Sequence, residues 1–467
     1  MEVGKLVNRK KSPKRVLVVG AGLAGLAAAY ELSQASHAVT VLEGQARPGG
    51  RVCTLREGFA DGLYAEAGAE YFYPTEPDYA LGYIHHFGLE AIPLKFSHHR
   101  SIAHLNGSRI MVDPSQATEW PLALTEKEQR LGLPGLRQHY VEPLLRKFQK
   151  GFDGDWPIDV LHQFDSTTFV KALKEAGASD AAIELLRIVD WDFVGEGNDQ
   201  TSAIELLGDR AKFSQFRKPF YAIKGGNDLL PHRFAKDLSE NIVYGAEVTR
   251  IEHDSHTVRV TYVQRGESCH AIADYLVLAI PFSVLRHLTV SPAFSIQKHR
   301  AIRDLSYSSV SRVYFQTKEK FWFKEGLSGL ALTDLPFTYF WDSSWNQDGR
   351  KGMLQGYTTG SAARMLASLD ESLRNQLALL EAQKIYPTLP DYLEGISWKC
   401  WDSDPWALGG YSWLRTGAIS ALFPYLAVSE GRVHFAGEHT APCSLHATIQ
   451  GALQSGIRVA QEINELP

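Results

Sequence analysis

The sequence predicts an α/β protein in which a parallel-sheet domain, assembled from separate segments, is combined with an α+β domain that contains a mixed sheet and a helical segment. Three observations support this. An apolar run, Val16 to Val19, leads into a glycine-rich turn and an Ala- and Leu-rich helix. The stretch from Glu76 to Tyr221 has a mainly helical pattern, and from Asn241 onwards apolar residues recur with a period of two, which indicates strands.

The turn after the first strand has the pattern Gly20-x-Gly22-x-x-Gly25, which is typical of a Rossmann-like dinucleotide-binding domain. Gly20 allows the tight turn, Gly22 lets a pyrophosphate approach the backbone, and Gly25 lets helix and strand pack closely. The phosphates would lie at a helix N-terminus, where free N–H groups favour an anion. We assign the cofactor-binding turn to Gly20, Ala21, Gly22, Leu23, Ala24 and Gly25.

An acidic residue and a second glycine turn follow at suitable distances. The strand Ala38 to Leu42 ends at Glu43, 23 residues after the first glycine of the turn, where a carboxylate can accept hydrogen bonds from a ribose. Arg47-Pro-Gly-Gly50-Arg51 carries two guanidinium groups suited to a pyrophosphate, although a solvated basic turn would have the same composition. Strand, helix, second strand and acid in this order predict dinucleotide binding.

Local patterns predict individual elements in the rest of the chain. Asp165-Ser-Thr is expected to cap a helix over Phe169 to Ala176, and Ser179-Asp to cap a helix over Ala181 to Val189. Residues Ala362 to Tyr386 are expected to be mostly helical. Strands are predicted at Val248–Glu252, Thr257–Val263, Ala271–Ile280, Val310–Thr317, Leu330–Phe340 and Gly352–Tyr357.

Composition excludes several classes of protein. Of the 467 residues, 44% are hydrophobic and 22% charged, as in a globular chain, and the length would allow about three domains. The net charge of −5 provides no electrostatic basis for binding nucleic acid. No apolar run reaches the roughly 18 residues that a membrane span requires. We expect a protein that binds neither nucleic acid nor membranes.

The cysteines and the N-terminal segment bear on the compartment. Cys53, Cys269, Cys400 and Cys443 form no close pair and no metal-ligand spacing, which favours free thiols, a reducing compartment and no metal site. The basic segment 1–13 could resemble the start of a signal peptide, but the apolar residues after it form the first strand and helix, and no cleavage pattern follows. We expect a flexible extension on a cytoplasmic protein.

The chain resembles the flavin-containing amine oxidase family, which includes monoamine oxidases, L-amino acid oxidases, polyamine oxidases and lysine-specific histone demethylases. The resemblance rests on segments whose order and spacing together are specific. They are VLVVGAGLAGLAAAYEL from Val16, VLEGQARPGGRV from Val41, AEAGA from Ala65, KGG from Lys224, LVLAIPF from Leu276, KFW from Lys320, WDSDPWA from Trp401, GGY from Gly409, FAGEHTA from Phe435 and TIQGALQSGI from Thr448.

The resemblance implies bound FAD. Monoamine oxidases have a flavin-bonded cysteine directly before the tyrosine that matches Tyr411, whereas this chain has Gly410, so a non-covalent cofactor is implied. It also implies two domains threaded through each other. The FAD-binding domain would comprise 14–75, 224–290 and 395–467, and the substrate-binding domain 76–223 and 291–394, with a helical part at about 115–190.

Further FAD-contacting positions follow from the family motifs. Glu438 and its neighbours would lie against the ribityl chain and the pyrophosphate, the final helix near Ile449 would direct its dipole at the isoalloxazine, and Val248 falls where the family's backbone meets the adenine. The positions implied in this way are Gly68, Ala69, Glu70, Val248, Trp401, Gly437, Glu438, Thr448 and Ile449.

Two departures from the family pattern concern catalysis. Tyr411 matches one of the two aromatic rings that position the amine in many members, but Thr448 stands in place of the other. Arg312 stands where the family usually has a lysine that holds a water near the flavin N5 and assists reaction with oxygen. An arginine could hold that water, bind a substrate carboxylate with two hydrogen bonds, or form a structural ion pair.

A third departure concerns the substrate. Snake-venom L-amino acid oxidases have a carboxylate-binding arginine shortly after the glycine that matches Gly68, whereas this chain continues with Glu70 and Tyr71. Tyr357 matches the tyrosine that binds the same carboxylate. Glu70 near the pocket would favour a cation, but it could equally be a solvated loop acid. We therefore expect Tyr71, Tyr357, Thr448 and Arg312 to bind substrate, with Arg312 and Tyr411 catalytic.

The resemblance implies an FAD-dependent oxidase of primary amines that uses molecular oxygen, and it favours an L-amino acid oxidase. A monoamine or polyamine oxidase is the alternative. A non-catalytic binding module, as in the GDP dissociation inhibitors that share this fold, is opposed by the intact glycine turn and Glu43. The expected partners are a small-molecule amine or amino acid and oxygen, and the chain could form a homodimer.

Overall fold

The computed structural model describes residues 3, 12–95, 97, 99–113, 115–149, 158–189, 196–197, 199–207 and 219–467. The N-terminal extension lies almost entirely outside these residues, so its flexibility stays a prediction. No helix in the described ranges has the length and apolar character needed to cross a membrane.

A five-stranded parallel sheet contains the predicted first strand, and the α/β fold class is confirmed. The first helix, Leu23–Gln34, follows the glycine turn as predicted. Because side chains alternate along a strand, Val16 and Val18 pack against this helix, whereas Leu17 faces the opposite layer. The spatial order of strands in this parallel sheet is Val433–Phe435, Tyr275–Leu278, Arg15–Val19, Ala38–Glu43 and Ile242–Tyr244.

The two ends of the described chain meet on one face of the parallel sheet. The final helix, Ile449–Glu465, packs beside the first helix so closely that a Cβ at Gly456 would lie 2.3 Å from the Ala24 carbonyl oxygen. The buried Lys14 Nζ donates hydrogen bonds to the carbonyl oxygens of Ile463, at 3.0 Å, and Leu466, at 2.7 Å.

A four-stranded sheet covers the other face of the parallel sheet. Ile251, Val258 and Val260 from this layer share a buried core with Leu17 and Leu42 of the parallel strands. The order of its strands is Glu267–Ala273, Val258–Gln264, Glu247–His253 and Thr289–Ser291.

A seven-stranded sheet, called the substrate sheet below, forms the second large unit. Helices Gly360–Ser368 and Glu371–Ile385 pack on it through Leu366, Ala378 and Ile385. Its strand order is Leu393–Cys400, Val310–Thr317, Gly352–Thr359, Tyr339–Asp342, Leu327–Thr333, Arg100–Leu105 and Ser108–Val112.

Shorter elements complete the described structure. Two-stranded pairings join Thr54–Leu55 to Ala65–Glu66, Ala91–Pro93 to Tyr221–Ile223, and Ser306–Tyr307 to Ser412–Trp413. The remaining helices are Tyr79–His86, Glu126–Leu136, Arg137–Val141 (a π-helix), Glu142–Gln149, Ile158–Asp165, Phe169–Glu175, Asp180–Val189, Leu229–Asp237, Phe282–Leu285, Ile296–Asp304, Phe321–Lys324, Leu389–Tyr392, Ala418–Leu426, and the 3₁₀ turns Glu438–Thr440 and Cys443–Leu445.

Several predicted strands differ from the structure. The single strand predicted at Ala271–Ile280 is two strands in different sheets, which separate at Asp274, where the carboxylate binds the Arg15 backbone N–H and guanidinium. The strand predicted at Leu330–Phe340 is a pair of antiparallel strands. The stretch Glu76 to Tyr221, predicted to be mainly helical, also contributes two strands to the substrate sheet. Arg100–Leu105 pairs with the distant strand Leu327–Thr333, and Ser108–Val112 pairs with Arg100–Leu105 as a hairpin.

One predicted helix cap is wrong. Thr168, not the Asp165-Ser-Thr segment, caps the helix Phe169–Glu175, because its hydroxyl accepts the Lys171 N–H at 3.1 Å. Asp165 instead accepts hydrogen bonds from two backbone N–H groups at the start of the helix Ala418–Leu426. Ser179 caps its helix as predicted.

Two of the predicted domain limits, at residues 290 and 395, fall inside strands of the structure. Strand Thr289–Ser291 pairs in parallel with Glu247–His253 and so extends past the limit at residue 290. Strand Leu393–Cys400 belongs to the substrate sheet and extends past the limit at 395. The division into two threaded domains stays a prediction, with these two limits moved by a few residues.

Lys298 is buried without a salt bridge among the described residues. Its Nζ donates to the Leu426 carbonyl oxygen at 2.9 Å and lies 3.8 Å from the centroid of the Phe435 ring. Burial lowers the pKa of Lys298 from 10.5 to about 7, partly opposed by the charge of Glu430. A protonated Lys298 is therefore costly in the folded state.

We expect the stability of the protein to rise between pH 7 and pH 10. In that window the unfolded chain binds a proton at Lys298 that the folded protein does not, so this residue contributes up to about 1.4 kcal/mol per pH unit. Thermal unfolding midpoints of the wild type and of Lys298→Met, measured across this range, test the idea. The variant should lack this part of the rise, and parallel pH profiles would contradict the assignment.

Candidate active site

One cavity extends from the carboxyl ends of the parallel strands to the substrate sheet. Val19 and Leu42 lie on its wall at one end, and Arg312 and Tyr357 at the other. Ligands bind at the carboxyl ends of strands in open α/β sheets, so this position suits a nucleotide. The same cavity therefore contains both the nucleotide-binding turn and a second binding pocket at the substrate sheet.

The glycine turn has the geometry that its sequence predicts. Gly20 adopts a φ of +102°, which favours glycine. A Cβ at Gly25 would lie 1.9 Å from the Gly20 carbonyl oxygen, so this position permits the close helix–strand packing. Gly22 precedes the helix, and a Cβ there would meet no atom within 4 Å. The backbone at Gly22 is therefore open to the cavity, as a close-approaching pyrophosphate requires.

Glu43 links the first glycine turn to the next one. Its carboxylate accepts the Ala21 backbone N–H at 2.6 Å and the Gln45 N–H at 2.8 Å, and it lies on the cavity wall. Burial raises the pKa of the Glu43 carboxyl, opposed by these two hydrogen bonds. These contacts fix the carboxylate where a ribose hydroxyl could donate to it.

The two arginines of the second turn have different positions. Arg51 lies on the cavity wall, and its Nη1 donates to the Gly410 carbonyl oxygen and to Glu438 Oε1, both at 2.7 Å. Arg47 instead donates to the Pro48 and Gly50 carbonyl oxygens at 3.1 Å and does not lie on the described cavity wall. Arg47 thus closes the turn, and Arg51 is the better placed to meet a ligand.

Glu438 is the centre of a buried polar network. Although burial opposes its ionisation, Arg51 lowers the pKa of the Glu438 carboxyl to about 2. Ser412 Oγ donates to Glu438 at 2.6 Å and lies 3.0 Å from His446 Nε2. This serine, histidine and carboxylate do not form a hydrolase triad, because Ser412 is fully buried and its hydroxyl donates to the carboxylate.

The start of the final helix faces the cavity. Thr448 caps this helix: its hydroxyl accepts the Gly451 N–H at 3.0 Å and donates to the Leu445 carbonyl oxygen at 2.6 Å. Ile449 follows on the cavity wall, so the positive end of the helix dipole points at the ligand space. The hydroxyl of Thr448 thus uses its donor and one of its two acceptor positions on the protein itself, and its role in substrate binding stays a prediction.

A row of side chains crosses three strands of the substrate sheet. Arg312 is paired in register with Tyr357, and Tyr357 with Tyr339, so all three project from the same face onto the cavity wall. The Arg312 guanidinium lies 5.0 Å from the centroid of the Tyr357 ring, and the rings of Tyr357 and Tyr339 stack at 4.8 Å. A hydrogen bond joins Tyr357 to Tyr411, so Tyr411 completes the aromatic wall.

Arg312 forms a buried ion pair. Its Nη1 lies 3.2 Å from Glu70 Oε2, and the two side chains are 10% and 8% exposed. The same Nη1 donates to the Glu66 carbonyl oxygen at 2.9 Å. Although burial opposes a charged guanidinium, Glu70 raises the pKa of Arg312, so the cation persists at any working pH. Glu70 is therefore no solvated loop acid but part of the pocket.

Most of the residues predicted for cofactor or substrate lie together on the cavity wall. Three predicted cofactor residues, Ala21, Gly25 and Arg47, do not line the cavity. They contact Glu43, Gly20 and Gly50, which do. Those on the wall are Gly20, Gly22, Leu23, Ala24, Glu43, Gly50, Arg51, Gly68, Ala69, Glu70, Tyr71, Val248, Arg312, Tyr357, Trp401, Tyr411, Gly437, Glu438, Thr448 and Ile449.

Sequence reasoning missed the partners of Glu70 and the network at Glu438. The sequence predicts a single strand at Leu330–Phe340, whereas Tyr339 and Trp341 lie on a separate strand, Tyr339–Asp342. This strand pairs with the strand that contains Tyr357, a pairing that the prediction does not contain. Period-two alternation could have placed them on one face if the strand pairing had been known. His446 lies in an irregular segment for which no local signal was available.

The fold and the site together define a flavoprotein oxidoreductase, in which a dinucleotide cradle opens into a buried pocket of tyrosines and one arginine. The chain belongs to the flavin containing amine oxidoreductase family, whose model matches residues 23–464. Its cofactor is FAD, and its reaction class is the oxidation of an amine.

Named relatives and solved structures extend over nearly the whole chain. A Bacillus subtilis (strain 168) protein, YobN, that carries the provisional name L-amino-acid oxidase is 35% identical, over 99% of this chain and 97% of its own. The L-amino-acid oxidase of Pseudechis australis is 27% identical over 98% and 88%. A putrescine oxidase structure aligns with a TM-score of 0.80 at 20% identity, over 97% and 99%. Cyclohexylamine oxidase from Brevibacterium oxydans IH-35A aligns at 0.78 and 21%, over 97% and 99%.

Proposed function

We propose that this chain is an L-amino acid oxidase. The α-carbon of the substrate loses a hydride and its nitrogen a proton to give an imine, which water hydrolyses to a 2-oxo acid and ammonia. FAD, when bound, would supply the two-electron oxidant for this reaction, and molecular oxygen would take up the electrons as hydrogen peroxide. The observation that carries the choice of amino acids is the guanidinium of Arg312 on the cavity wall beside Tyr357.

An arginine and a tyrosine hydroxyl are suited to hold a carboxylate. A guanidinium presents five N–H donors in a planar fork, and Arg312 lies on the cavity wall. Tyr357, whose hydroxyl can also donate, is 4% exposed. The 35% identity to a protein named for L-amino acid oxidation supports the same choice.

The protein contributes orientation and a dry pocket to this reaction. The α C–H bond must point at the oxidant, and the amine must be deprotonated before the hydride leaves. The rings of Tyr339, Tyr357 and Tyr411 bound the substrate space and are held by stacking and by a hydrogen bond. The N-terminus of the final helix stabilises negative charge on the bound cofactor.

A monoamine or polyamine oxidase is the second candidate. The carboxylate of Glu70 neutralises Arg312, and Glu205 is a further acid on the cavity wall, in addition to Glu43 and Glu438. Two carboxylates would favour a substrate with more than one amino group. The shared fold with a putrescine oxidase is compatible with either candidate.

The pair L-phenylalanine and phenylethylamine separates the candidates, because the two differ only by the carboxylate. We would record the flavin absorption of the purified protein without oxygen, before and after adding each compound. Bleaching by the amino acid alone is the expected result. Bleaching by the amine alone would transfer the assignment to the amine oxidases, and a colourless protein would contradict the cofactor.

We further propose that FAD is held without a covalent bond. A Cβ at Gly410 would lie 2.7 Å from Val310 Cγ2, so a cysteine before Tyr411 would be crowded here. No cysteine lies on the described cavity wall. Acid precipitation should therefore leave the yellow colour in the supernatant. A cytoplasmic location and a possible homodimer stay predictions.

A further inference from the structure

We infer that Arg312 and Glu70 together form a receptor for the zwitterion of an amino acid. In this receptor the substrate carboxylate replaces Glu70 as the counter-ion of Arg312, and Glu70 takes a proton from the substrate ammonium. The inference rests on the proposed oxidation of amino acids and adds a proton acceptor to it.

The geometry places both charges where a substrate can reach them. Arg312 and Glu70 both lie on the cavity wall, and the atoms that join them are 3.2 Å apart. An amino acid carries its carboxylate and its ammonium on one carbon, so its two charges are separated by a similar short distance. The opposite charges of the pair and of the zwitterion are therefore complementary.

Glu70 is held in place but has capacity for one more donor. Its Oε1 accepts the Trp341 indole N–H at 2.6 Å, and its Oε2 accepts from Arg312 at 3.2 Å and from Gln355 at 3.4 Å. An ionised carboxylate offers about four acceptor positions. One position thus remains for an ammonium N–H, while Trp341 keeps the carboxylate in position.

The charges around Glu70 favour transfer of a proton from the substrate ammonium to this carboxylate. Burial raises the pKa of the nearby Glu66 carboxyl to about 8, so Glu66 is mostly neutral near pH 7 and Glu70 is the counter-ion of Arg312. When a substrate carboxylate binds Arg312, Glu70 exchanges Arg312 for the substrate ammonium as its partner. Transfer of the ammonium proton to Glu70 leaves a neutral acid and a neutral amine, so the buried site holds two charges instead of four. Benzoate brings no ammonium, so two anions would share Arg312 and Glu70 takes its proton from water.

At pH 7 and below the other groups around Glu70 do not compete for this role, because Glu66 already carries its proton. The ionisable side chains that face it are phenols whose pKa burial raises, together with Glu66 and Arg312. They come from the segment that contains Glu70 and from three strands of the substrate sheet: Tyr314, Tyr339, Tyr357, Glu66 and Arg312.

The proton transfer is balanced in atoms and charge. The ammonium N–H bond breaks, its proton binds a Glu70 carboxylate oxygen, and its electron pair stays on nitrogen as the lone pair of a neutral amine. Loss of the hydride from the α-carbon, for which bound FAD would be the oxidant, then yields the iminium form of the product, and Glu70 returns its proton to water. Arg312 stays positive throughout, with the substrate carboxylate as its counter-ion.

A simple amine lacks the group that makes this exchange favourable. If a substrate without a carboxylate gave its proton to Glu70, Arg312 would be left as an uncompensated buried cation, which is costly. The ion pair therefore discriminates against amines at the proton-transfer step as well as in binding.

Binding of benzoate, an unreactive carboxylate, to the FAD-loaded protein tests the counter-ion exchange without turnover. We would measure its Kd from the change in flavin absorption between about pH 5.5 and pH 7, a range in which Glu66 stays mostly protonated. In the wild type the Kd should rise with pH, by up to about tenfold per pH unit, because binding takes up a proton. A Kd that does not change with pH, or no binding at any pH, would overturn the inference.

Variants identify the group that takes the proton. Glu70→Gln should bind benzoate with a Kd independent of pH, and it should lose about 10²-fold in kcat/KM for L-phenylalanine near neutral pH, recovering as the substrate amine deprotonates in solution. Glu319→Gln is the matched control, since Glu319 pairs with Lys324 and Arg350 away from the cavity, and it should behave as the wild type. A pH-dependent Kd in Glu70→Gln would assign the proton to another group and overturn the inference.

The two proposals fail in different ways. If L-amino acids do not reduce the flavin, the proposed function is contradicted, whatever benzoate does. If L-amino acids do reduce it but benzoate binding takes up no proton, the oxidase assignment stands and the counter-ion exchange is wrong.

Discussion

Replacing Gly22 with alanine is expected to give a folded protein that binds flavin about 10-fold to 100-fold more weakly. The φ of Gly22 is −71°, which alanine adopts without strain, and a Cβ there would meet no protein atom within 4 Å. The added methyl group would occupy only the space into which a pyrophosphate must come. The flavin absorbance per mole of protein measures the effect.

Gly25→Ala is the matched comparison within the same turn. A Cβ at this position would lie 1.9 Å from the Gly20 carbonyl oxygen, so the strand and the helix must separate. We expect a lower thermal unfolding midpoint for the flavin-free Gly25→Ala protein and an unchanged midpoint for Gly22→Ala. A yellow Gly22→Ala protein with a full complement of flavin would contradict the placement of the pyrophosphate.

Replacing Arg312 with methionine is expected to reduce kcat/KM for L-amino acids by about 10²-fold or more, and that for amines much less. Removing one member of a buried charge pair costs about 2–5 kcal/mol, part of which is the penalty of leaving Glu70 unpaired. The double variant Arg312→Met, Glu70→Gln removes that penalty. It should keep the low activity on L-phenylalanine and recover folding stability.

Separate measurement of the two half-reactions distinguishes the roles of Arg312. Slow flavin reduction by amino acids, with normal reoxidation by oxygen, supports carboxylate binding. Normal reduction with slow reoxidation would refute it and support the holding of a water near N5. Arg312→Lys is the informative control, because a lysine could hold that water but lacks the planar fork that binds a carboxylate with two hydrogen bonds.

The sequence predicts the nucleotide half of the site far better than the substrate half. Gly20, Gly22, Gly25 and Glu43 lie within one strand–helix–strand unit, so their relation in space follows from local geometry. Those predictions needed only strand and helix periodicity together with the demands of the turn.

The substrate half depends on pairing between distant strands. Arg312, Tyr357 and Tyr339 become neighbours only through the register of three strands, and Glu70 reaches them from a segment more than 240 residues earlier in the chain. Composition and periodicity carry no information on such register. For this reason the sequence left three roles open for Arg312, and the ion pair with Glu70 emerges only in three dimensions.

The contact between the two ends of the described chain has a consequence for synthesis on the ribosome. The first helix emerges early, but the surface against which it packs is the final helix, and Lys14 finds its carbonyl partners at Ile463 and Leu466. A nascent chain therefore displays the apolar face of its first helix until residues 449–465 have been synthesised. We expect ribosome-bound chains that end before residue 449 to remain sensitive to protease and to recruit chaperones, with flavin taken up only after release.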